Sequence, residues 1–324
     1  MRVLVIGGAG YIGSHVVQAL ESAAHAVIVL DRRNPPAGLF GPLVEYVEAD
    51  IRDGEALDRI ISGSHWDGVI HLAGLKSVAA SMADPEAYFD TNVVGTLRIL
   101  EAMSRAAVKV IVFSSSCAVY GSPATLPIDE GTPLRPDNPY GESKLLVERM
   151  LPWFEAAHGI RYLALRYFNA AGGALDGSNG EDWRGAVNLL PVVIEASLGR
   201  REPVDVFGGD YPTPDGSAIR DYIHVVDLAR AHLLGLEHLA RGGGSDIVNL
   251  GTGRGVSVLE IIKSVGSATG RPVPYRLMPR RPGDPAAVWA NARRAQELIN
   301  WSADLGLDDI VRSAVAWHRA GRPG

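Results

Sequence analysis

The chain has 324 residues, a formal net charge of −6, 37 glycines and a single cysteine, with 47% hydrophobic and 21% charged residues. That composition suits a packed chain and argues against intrinsic disorder, while a lone Cys117 excludes an internal disulfide or a cysteine-based zinc cluster. Mild acidity argues against a nucleic-acid or membrane surface, no apolar run reaches the ~18–20 residues of a membrane span, and Met1-Arg2 leads straight into a strand-like run rather than a secretory leader, so a reduced, cytoplasmic setting is expected.

Short β-branched runs alternate with helix-period stretches through the first half. Strands are predicted at Arg2–Ile6, Ala26–Leu30, Leu43–Val47, Gly68–Leu72, Lys109–Phe113 and Arg161–Arg166. Helices are predicted between them at Tyr11–Ser22, Asp53–Ile61, Pro85–Ala106 and Gly141–His158. Parallel strands need such crossovers, and right-handed ones give an α/β fold with a doubly wound parallel sheet of Rossmann type. After about Tyr167 the rhythm breaks. Asn169–Glu181 is rich in small and polar residues, Leu190–Leu198 reads as a helix and Phe207–Ser217 as a loop. A strand at Asp221–Val225, a helix at Val226–Leu239, a strand at Asp246–Leu250 and a helix at Val258–Thr269 follow.

The turn after the first strand is Gly7-Gly8-Ala9-Gly10-Tyr11-Ile12-Gly13, in which Gly8, Gly10 and Gly13 satisfy G-x-G-x-x-G. Such a turn brings the backbone close to a pyrophosphate at the positive end of a helix. The pattern alone is weak, but strand, helix and acid stand where a dinucleotide site needs them. Asp31, ending the second strand, suits an adenosine ribose and repels a 2′-phosphate, which favours NAD over NADP; Arg32 and Arg33 pull the other way. Asp50-Ile51 follows the third strand within reach of an adenine amino group, and Leu72-Ala73-Gly74 ends the fourth with room for a cofactor.

Tyr140 and Lys144 lie four residues apart, on one face of a helix that Pro139 can start. A phenol titrates near ~10, and a close cation favours the phenolate, which suits a base for an alcohol proton. By itself the spacing is common on solvated helices. Here it accompanies Ser114-Ser115-Ser116-Cys117 at the C-terminal end of the fifth strand, where open α/β sheets bind ligands and a hydroxyl could share a proton with Tyr140. The combination is more specific than any part.

The glycine turn, Ala73-Gly74, Ser114–Gly121 and Tyr140–Lys144 together resemble the extended short-chain dehydrogenase/reductases, of the NAD-dependent epimerase/dehydratase type. Gly74-Leu75-Lys76, Arg166-Tyr167-Phe168-Asn169, Gly208–Val225 and Arg280–Asn291 narrow the likeness to the UDP-glucose 4-epimerase family, from Met1 to about Trp301. The resemblance implies a UDP-glucose/UDP-galactose interconversion through a 4-keto sugar with enzyme-bound NAD. It implies Tyr140 as base, Lys144 tuning it and bonding the nicotinamide ribose, and Ser116 relaying the proton. Gly7, Gly10, Tyr11, Ile12, Gly13, Asp31, Asp50, Ile51, Leu72, Ala73, Gly74, Lys76, Asn92, Ser114, Tyr140, Lys144 and Tyr167 are the implied cofactor residues. On the substrate side stand Ser116, Tyr140, Asn169, Asn188, Phe207 stacked on uracil, Arg220 and Arg281 on the diphosphate, Asp284 on the uridine ribose, and Val288 near the sugar. The implied division is an NAD-binding domain over 1–168, with segments near 221–250 interleaved, and a smaller α/β domain for the UDP-sugar over 169–324. A homodimer through Pro85–Ala106 and Gly141–His158 is also implied.

Four departures from the family pattern stand out. Arg32–Leu43 is short and carries Arg-Arg-Asn-Pro-Pro, Ile6 replaces a threonine, and Cys117 replaces an alanine. Val288 stands where several members carry tyrosine, and the smaller side chain is expected to admit an N-acetylated sugar. A 4,6-dehydratase would need an Asp-Glu pair where Cys117-Ala118 stand. Other NAD-dependent UDP-sugar epimerases, acting on UDP-arabinose or UDP-glucuronate, remain open, as does a non-catalytic dinucleotide-binding regulator; intact Ser116, Tyr140 and Lys144 argue against the last. The nine histidines show no metal-ligand spacing, and no metal is expected.

Overall fold

Val3–Ile6 are completely buried and form the heart of the first strand, β1 (Arg2–Ile6). The computed structural model describes residues 1–281 and 283–321. Pro282, inside the Arg280–Asn291 stretch, and residues 322–324, at the end of the expected second domain, lie outside the described residues. Side chains of β1 alternate between two layers. Val3 and Val5 pack with Val16, Val17 and Leu20 of the helix Tyr11–Ser22, and Leu4 and Ile6 join the opposite cluster with Leu57, Ile99 and Val147. Each fully buried aliphatic side chain contributes ~1.5–3 kcal/mol, so β1 is a firm floor beneath the turn that follows it.

The remaining strands of the main sheet are β2 (Ala26–Asp31), β3 (Glu45–Glu48), β4 (Gly68–His71), β5 (Val110–Ser116), β6 (Arg161–Tyr167) and β7 (Asp246–Leu250). All pair in parallel, in the order β7-β6-β5-β4-β1-β2-β3. The fold is an α/β doubly wound parallel sheet. The chain leaves β1 towards β2 on one side and reaches β4 on the other, which opens a crevice at the C-terminal ends of those strands. The late helix Val225–Ala240 and β7 return to this sheet after an excursion through the second region.

That second region has its own apolar cluster, in which Leu190, Val193 and Ile194 pack with Ile261, Val265, Ile310 and Val315. It carries small sheets: Val204–Phe207 with Tyr275–Met278, and Ile219–Arg220 between Val256–Ser257 and Ala287–Val288. No helix among the described residues is long and apolar enough to cross a membrane.

Three differences from expectation bear on the site. β5 runs on through Ser116, with Ser114, Ser115 and Ser116 paired to Leu165, Arg166 and Tyr167, so the serines lie within the strand rather than beyond it. The expected helix Pro85–Ala106 is broken into Pro85–Tyr88, a π-helical turn Phe89–Val94 and Gly95–Arg105. The wide turn presents Asn92 to Leu75 and Ser143, a tertiary demand that outweighs local helical geometry. Phe207 ends a strand instead of beginning a loop, because Val204–Phe207 finds a parallel partner.

Candidate functional site

The turn after β1 is packed too tightly for side chains. A Cβ on Gly13 would lie 2.1 Å from the Gly7 carbonyl oxygen, and Gly7 itself has φ 88° with Ala73 N 2.5 Å from where its Cβ would stand. The helix Tyr11–Ser22 has no side-chain N-cap bond and no acid in its first turn. Its first-turn N–H groups therefore face the crevice without an intrahelical acceptor, the arrangement that receives a pyrophosphate. Gly7, Gly10, Tyr11, Ile12 and Gly13 line the cleft, but the Tyr11 phenol turns away from it and donates to Gly172 O at 2.7 Å. Only the Tyr11 backbone is presented.

Beyond the turn, Asp31 accepts from Ala9 N (3.1 Å) and Arg33 N (3.2 Å) and stands at the cleft edge. Asp50 pairs with Arg52 at 2.8 Å, and that guanidinium holds its carboxyl below the usual carboxylate range. Ile51 sits beside it, with Gly95 packed against its side chain. Leu72, Ala73, Gly74 and Lys76 line the opposite wall, where Leu72 N and Ala73 N bond to Ile6 O. Asn92 is buried and spends its amide on Leu75 N, Leu75 O and Ser143 Oγ, so it shapes the Gly74–Lys76 wall from behind. Thr91, which no motif marked, and Leu75, quoted in a motif but given no role, also line the cleft. The residues fit an NAD-type dinucleotide: an uncapped helix end for the phosphates, and a carboxylate beside it for the adenosine ribose.

The other end of the cleft holds Tyr140, Lys144 and Tyr167. Asn138 caps the helix Pro139–His158 through Gly141 N, and Gly141 packs against Ala118 O, where a Cβ would lie 2.5 Å away. This close approach brings Tyr140 to the short 3-10 turn Cys117–Tyr120, which Ser116 caps. The Ser116 side chain accepts from Ala118 N at 3.2 Å, and it acts on the Tyr140 phenol by lowering its pKa. Lys144 is buried, donates to Ser114 O at 2.9 Å and lies 4.9 Å from the centre of the Phe113 ring. Burial brings its pKa down to about 8, with Glu148 opposing. Against the expected downward pull of a nearby cation, the Tyr140 phenol is raised, by burial first and then by Tyr167, while Ser116 lowers it. Ser114 itself is fully buried and points beneath the cleft, at His232. Cys117 is an inert thiol, pushed up to about 12 by burial.

The positive charge of Arg220 lowers the Cys117 thiol against the effect of burial. Arg220 is ion-paired with Asp284, and Arg281 stacks on Phe207 with its guanidinium 3.8 Å from the ring centre. Asn169 stands opposite Tyr222 in a short parallel pair, and Val288 opposite Arg220 in another. Asn188 begins the helix Leu189–Ser197 and donates to Glu181 at 2.6 Å; Lys76 reaches the same oxygen at 3.2 Å. Glu181 thus joins the cofactor wall to the second region. A lone acid in an irregular stretch gave no signal of this in the sequence.

A family model described as the NAD dependent epimerase/dehydratase family matches residues 3–251. A UDP-glucose 4-epimerase of Halalkalibacterium halodurans is 47% identical over 322 residues, covering 98% of this chain and 96% of that protein. The crystal structure of UDP-glucose 4-epimerase from Brucella ovis in complex with NAD matches with a TM-score of 0.94 at 44% identity, covering 97% of each chain. The enzyme from Bifidobacterium longum, in complex with NAD+ and UDP, matches with a TM-score of 0.93 at 42% identity, covering 99% of this chain and 98% of that one.

Proposed function

This chain belongs to the NAD dependent epimerase/dehydratase family, and we infer from that premise that it interconverts UDP-glucose and UDP-galactose through a 4-keto sugar, with NAD as its bound cofactor. One observation carries the reading. A single cleft is lined both by the uncapped helix end and by Tyr140 and Lys144. Phosphate recognition and proton abstraction thereby share one cleft.

NAD held in this cleft would supply the hydride acceptor for oxidation at the sugar C4 and the hydride donor for reduction of the 4-keto sugar. The chain supplies the proton chemistry. Tyr140 oxygen takes the 4-OH proton, Ser116 hydroxyl orients that transfer, and Lys144 stands one turn along the same helix, a positive charge set against the burial that raises the phenol. Asp31 holds the adenosine ribose and the first turn of Tyr11–Ser22 the pyrophosphate. Arg220, Arg281, Asn169 and Asn188 anchor the UDP diphosphate, Asp284 its ribose and Phe207 its base. Arg220 and Asp284 then exchange their mutual pairing for the ligand. The sugar is left lightly held, as turnover of the keto intermediate about its diphosphate link requires.

Val288, in register with Arg220, is a smaller side chain than the tyrosine several family members carry there, which supports a substrate range extending to UDP-N-acetylglucosamine. Val288→Tyr should lose the acetamido substrate and keep UDP-glucose; retention of both refutes this. Residues 1–168 with the returning 225–250 segment serve the cofactor, and the rest of the chain serves UDP. Trp153, 75% exposed, and Val94 lie on the helices proposed to pair two copies into a homodimer, and light scattering of the purified protein tests it. A lone cysteine, which can form no internal disulfide, supports a cytoplasmic setting.

The function is tested by product formation from UDP-galactose. Tyr140→Phe should reduce turnover by ~10²–10⁴-fold, the usual share of a positioned acid–base group. A fully active phenylalanine variant would refute the assignment of the base, and absence of product from the parent protein would refute the reaction.

A further inference from the structure

Asp221 follows Arg220 in the chain, and the reaction above leaves it without a role. It is completely buried, and its carboxylate meets four donors. Oδ1 accepts from Thr252 N at 2.9 Å and from Thr252 Oγ1 at 2.6 Å. Oδ2 accepts from Ala290 N at 3.1 Å and from Gly253 N at 3.3 Å. Three of these partners are backbone N–H groups, which can only donate, so the ionised acid is the form that satisfies all four. Burial raises the carboxyl, and the bonds to Thr252, Ala290 and Gly253 oppose that rise. The Asp221 carbonyl accepts in turn from Asn169 N at 2.9 Å.

The places of these partners give the cluster its meaning. Thr252 and Gly253 follow β7, the edge strand of the main sheet. Ala290 lies two residues beyond Val288, which is paired with Arg220. Ile219–Arg220 and its neighbours Val256–Ser257 and Ala287–Val288 are strands of two residues each, too short to hold their register on ladder bonds alone. Asp221 is the joint at which the chain leaves that sheet for Tyr222–His224, whose parallel partner begins at Asn169. One carboxylate thus ties the edge of the main sheet to the strands that bear Arg220 and Val288. We propose that Asp221 is a positioning residue for the substrate, whose carboxylate fixes the Arg220 strand against the main sheet and so holds the guanidinium ready for a diphosphate. This rests on the reading of Arg220 as a diphosphate anchor. Phe207, assigned to the base, stands on a separate small sheet with Tyr275–Met278, so the base site does not share the joint.

Titration calorimetry of the NAD-loaded protein with UDP and with uridine gives two affinities, and their ratio isolates the share of the diphosphate. Asp221→Asn keeps the shape of the side chain but turns an amide NH2 toward at least one backbone N–H, which opens the joint. The ratio should fall about tenfold, the worth of one charge-assisted hydrogen bond, with uridine affinity kept within about twofold. Thr252→Val removes only the hydroxyl bond and should lower the ratio about threefold. A residue that served stability alone would lower the unfolding temperature and the amount of competent protein, and would leave the ratio unchanged. An unchanged ratio in Asp221→Asn overturns the proposal, and Thr252→Val decides alone if the asparagine variant does not fold. A parent that prefers UDP, beside variants that keep the preference, overturns the proposal and spares the reading of Arg220. A parent that binds UDP no more tightly than uridine overturns both.

Discussion

Replacing Gly13 with alanine should weaken NAD binding by about 10–100-fold. The added methyl would lie 2.1 Å from Gly7 O, 2.8 Å from Gly8 Cα and 3.0 Å from Gly7 C. All three are backbone atoms of the turn, so no side chain can swing aside. Relief must come from the turn or from the start of the helix Tyr11–Ser22, which moves the N–H groups aimed at the phosphates. Losing one charge-assisted hydrogen bond costs ~1.5–3 kcal/mol, which is roughly a 10–150-fold change in Kd. Overpacking adds ~1–3 kcal/mol against the fold itself. Titration calorimetry with NAD measures the first effect, and urea unfolding without cofactor the second. Gly10→Ala, whose methyl would meet Gly7 O at 3.3 Å, should be milder, and Gly185→Ala, with nothing within 4 Å, should be neutral in both assays. A Gly13→Ala protein that binds NAD like the parent would refute the placement of the phosphates on this helix end.

Other perturbations test the scaffold beneath the site. Arg166→Met leaves Glu148 buried without its guanidinium partner, where the pair is 2.6 Å apart and only 2–3% exposed; urea unfolding should show a loss of ~3–5 kcal/mol. Arg241→Ala removes an exposed helical pair and should cost at most ~0.5 kcal/mol in the same assay. Lys144 titrates near 8 when folded and near 10.5 when unfolded, so across that window the unfolded chain binds more protons and stability rises with pH. The contribution is fully present above the unfolded value and lost as pH falls through 8. Unfolding midpoints of the parent minus Lys144→Met should therefore rise between pH 8 and 10; a flat difference would contradict the burial of the ammonium. Tyr11→Phe removes the bond to Gly172 O but leaves the backbone at the phosphates, and should lower stability by ~1 kcal/mol while leaving NAD affinity within about twofold.

The sheet was legible because its signals are local. β1, Tyr11–Ser22, Asp246–Leu250 and Val258–Thr269 all have the bounds the sequence predicts. For the last, Ser257 and Glu260 form the reciprocal cap that marks a helix start. Leu307–Arg319 went unread although its apolar residues, Ile310, Val311, Ala314, Val315 and Trp317, follow helical spacing. The π turn at Phe89–Val94 was illegible for a different reason. Its cause is Asn92 meeting Leu75 and Ser143, residues far away in the chain. Ser114 shows the same limit: a serine at a strand end reads as a turn or a ligand, and only β6 and His232 reveal that it is buried. Tyr11 was assigned by position in a motif, and the motif speaks for its backbone alone.

The arginines show how burial divides one residue type between scaffold and site. Arg166 bonds Glu148 and the Tyr120 hydroxyl beneath the strand ends, where breaking the pair strands a charge away from water. It cannot trade partners. Arg220 and Asp284 are paired too, but their side chains keep 17% and 31% exposure. Pairs of that kind are worth ~0–1 kcal/mol, and a diphosphate offers the guanidinium charge-assisted bonds of ~1.5–3 kcal/mol. On the proposed reading, exchange would therefore favour the ligand and would free Asp284 for a ribose. The same holds for Lys76 and Asn188, which share Glu181 at the border between the cofactor wall and the second region. Internal pairing keeps these charges satisfied when no ligand is bound, and exposure keeps the pairing weak enough to yield. Residue type could not separate Arg166 from Arg220 in the sequence; the water each can reach does.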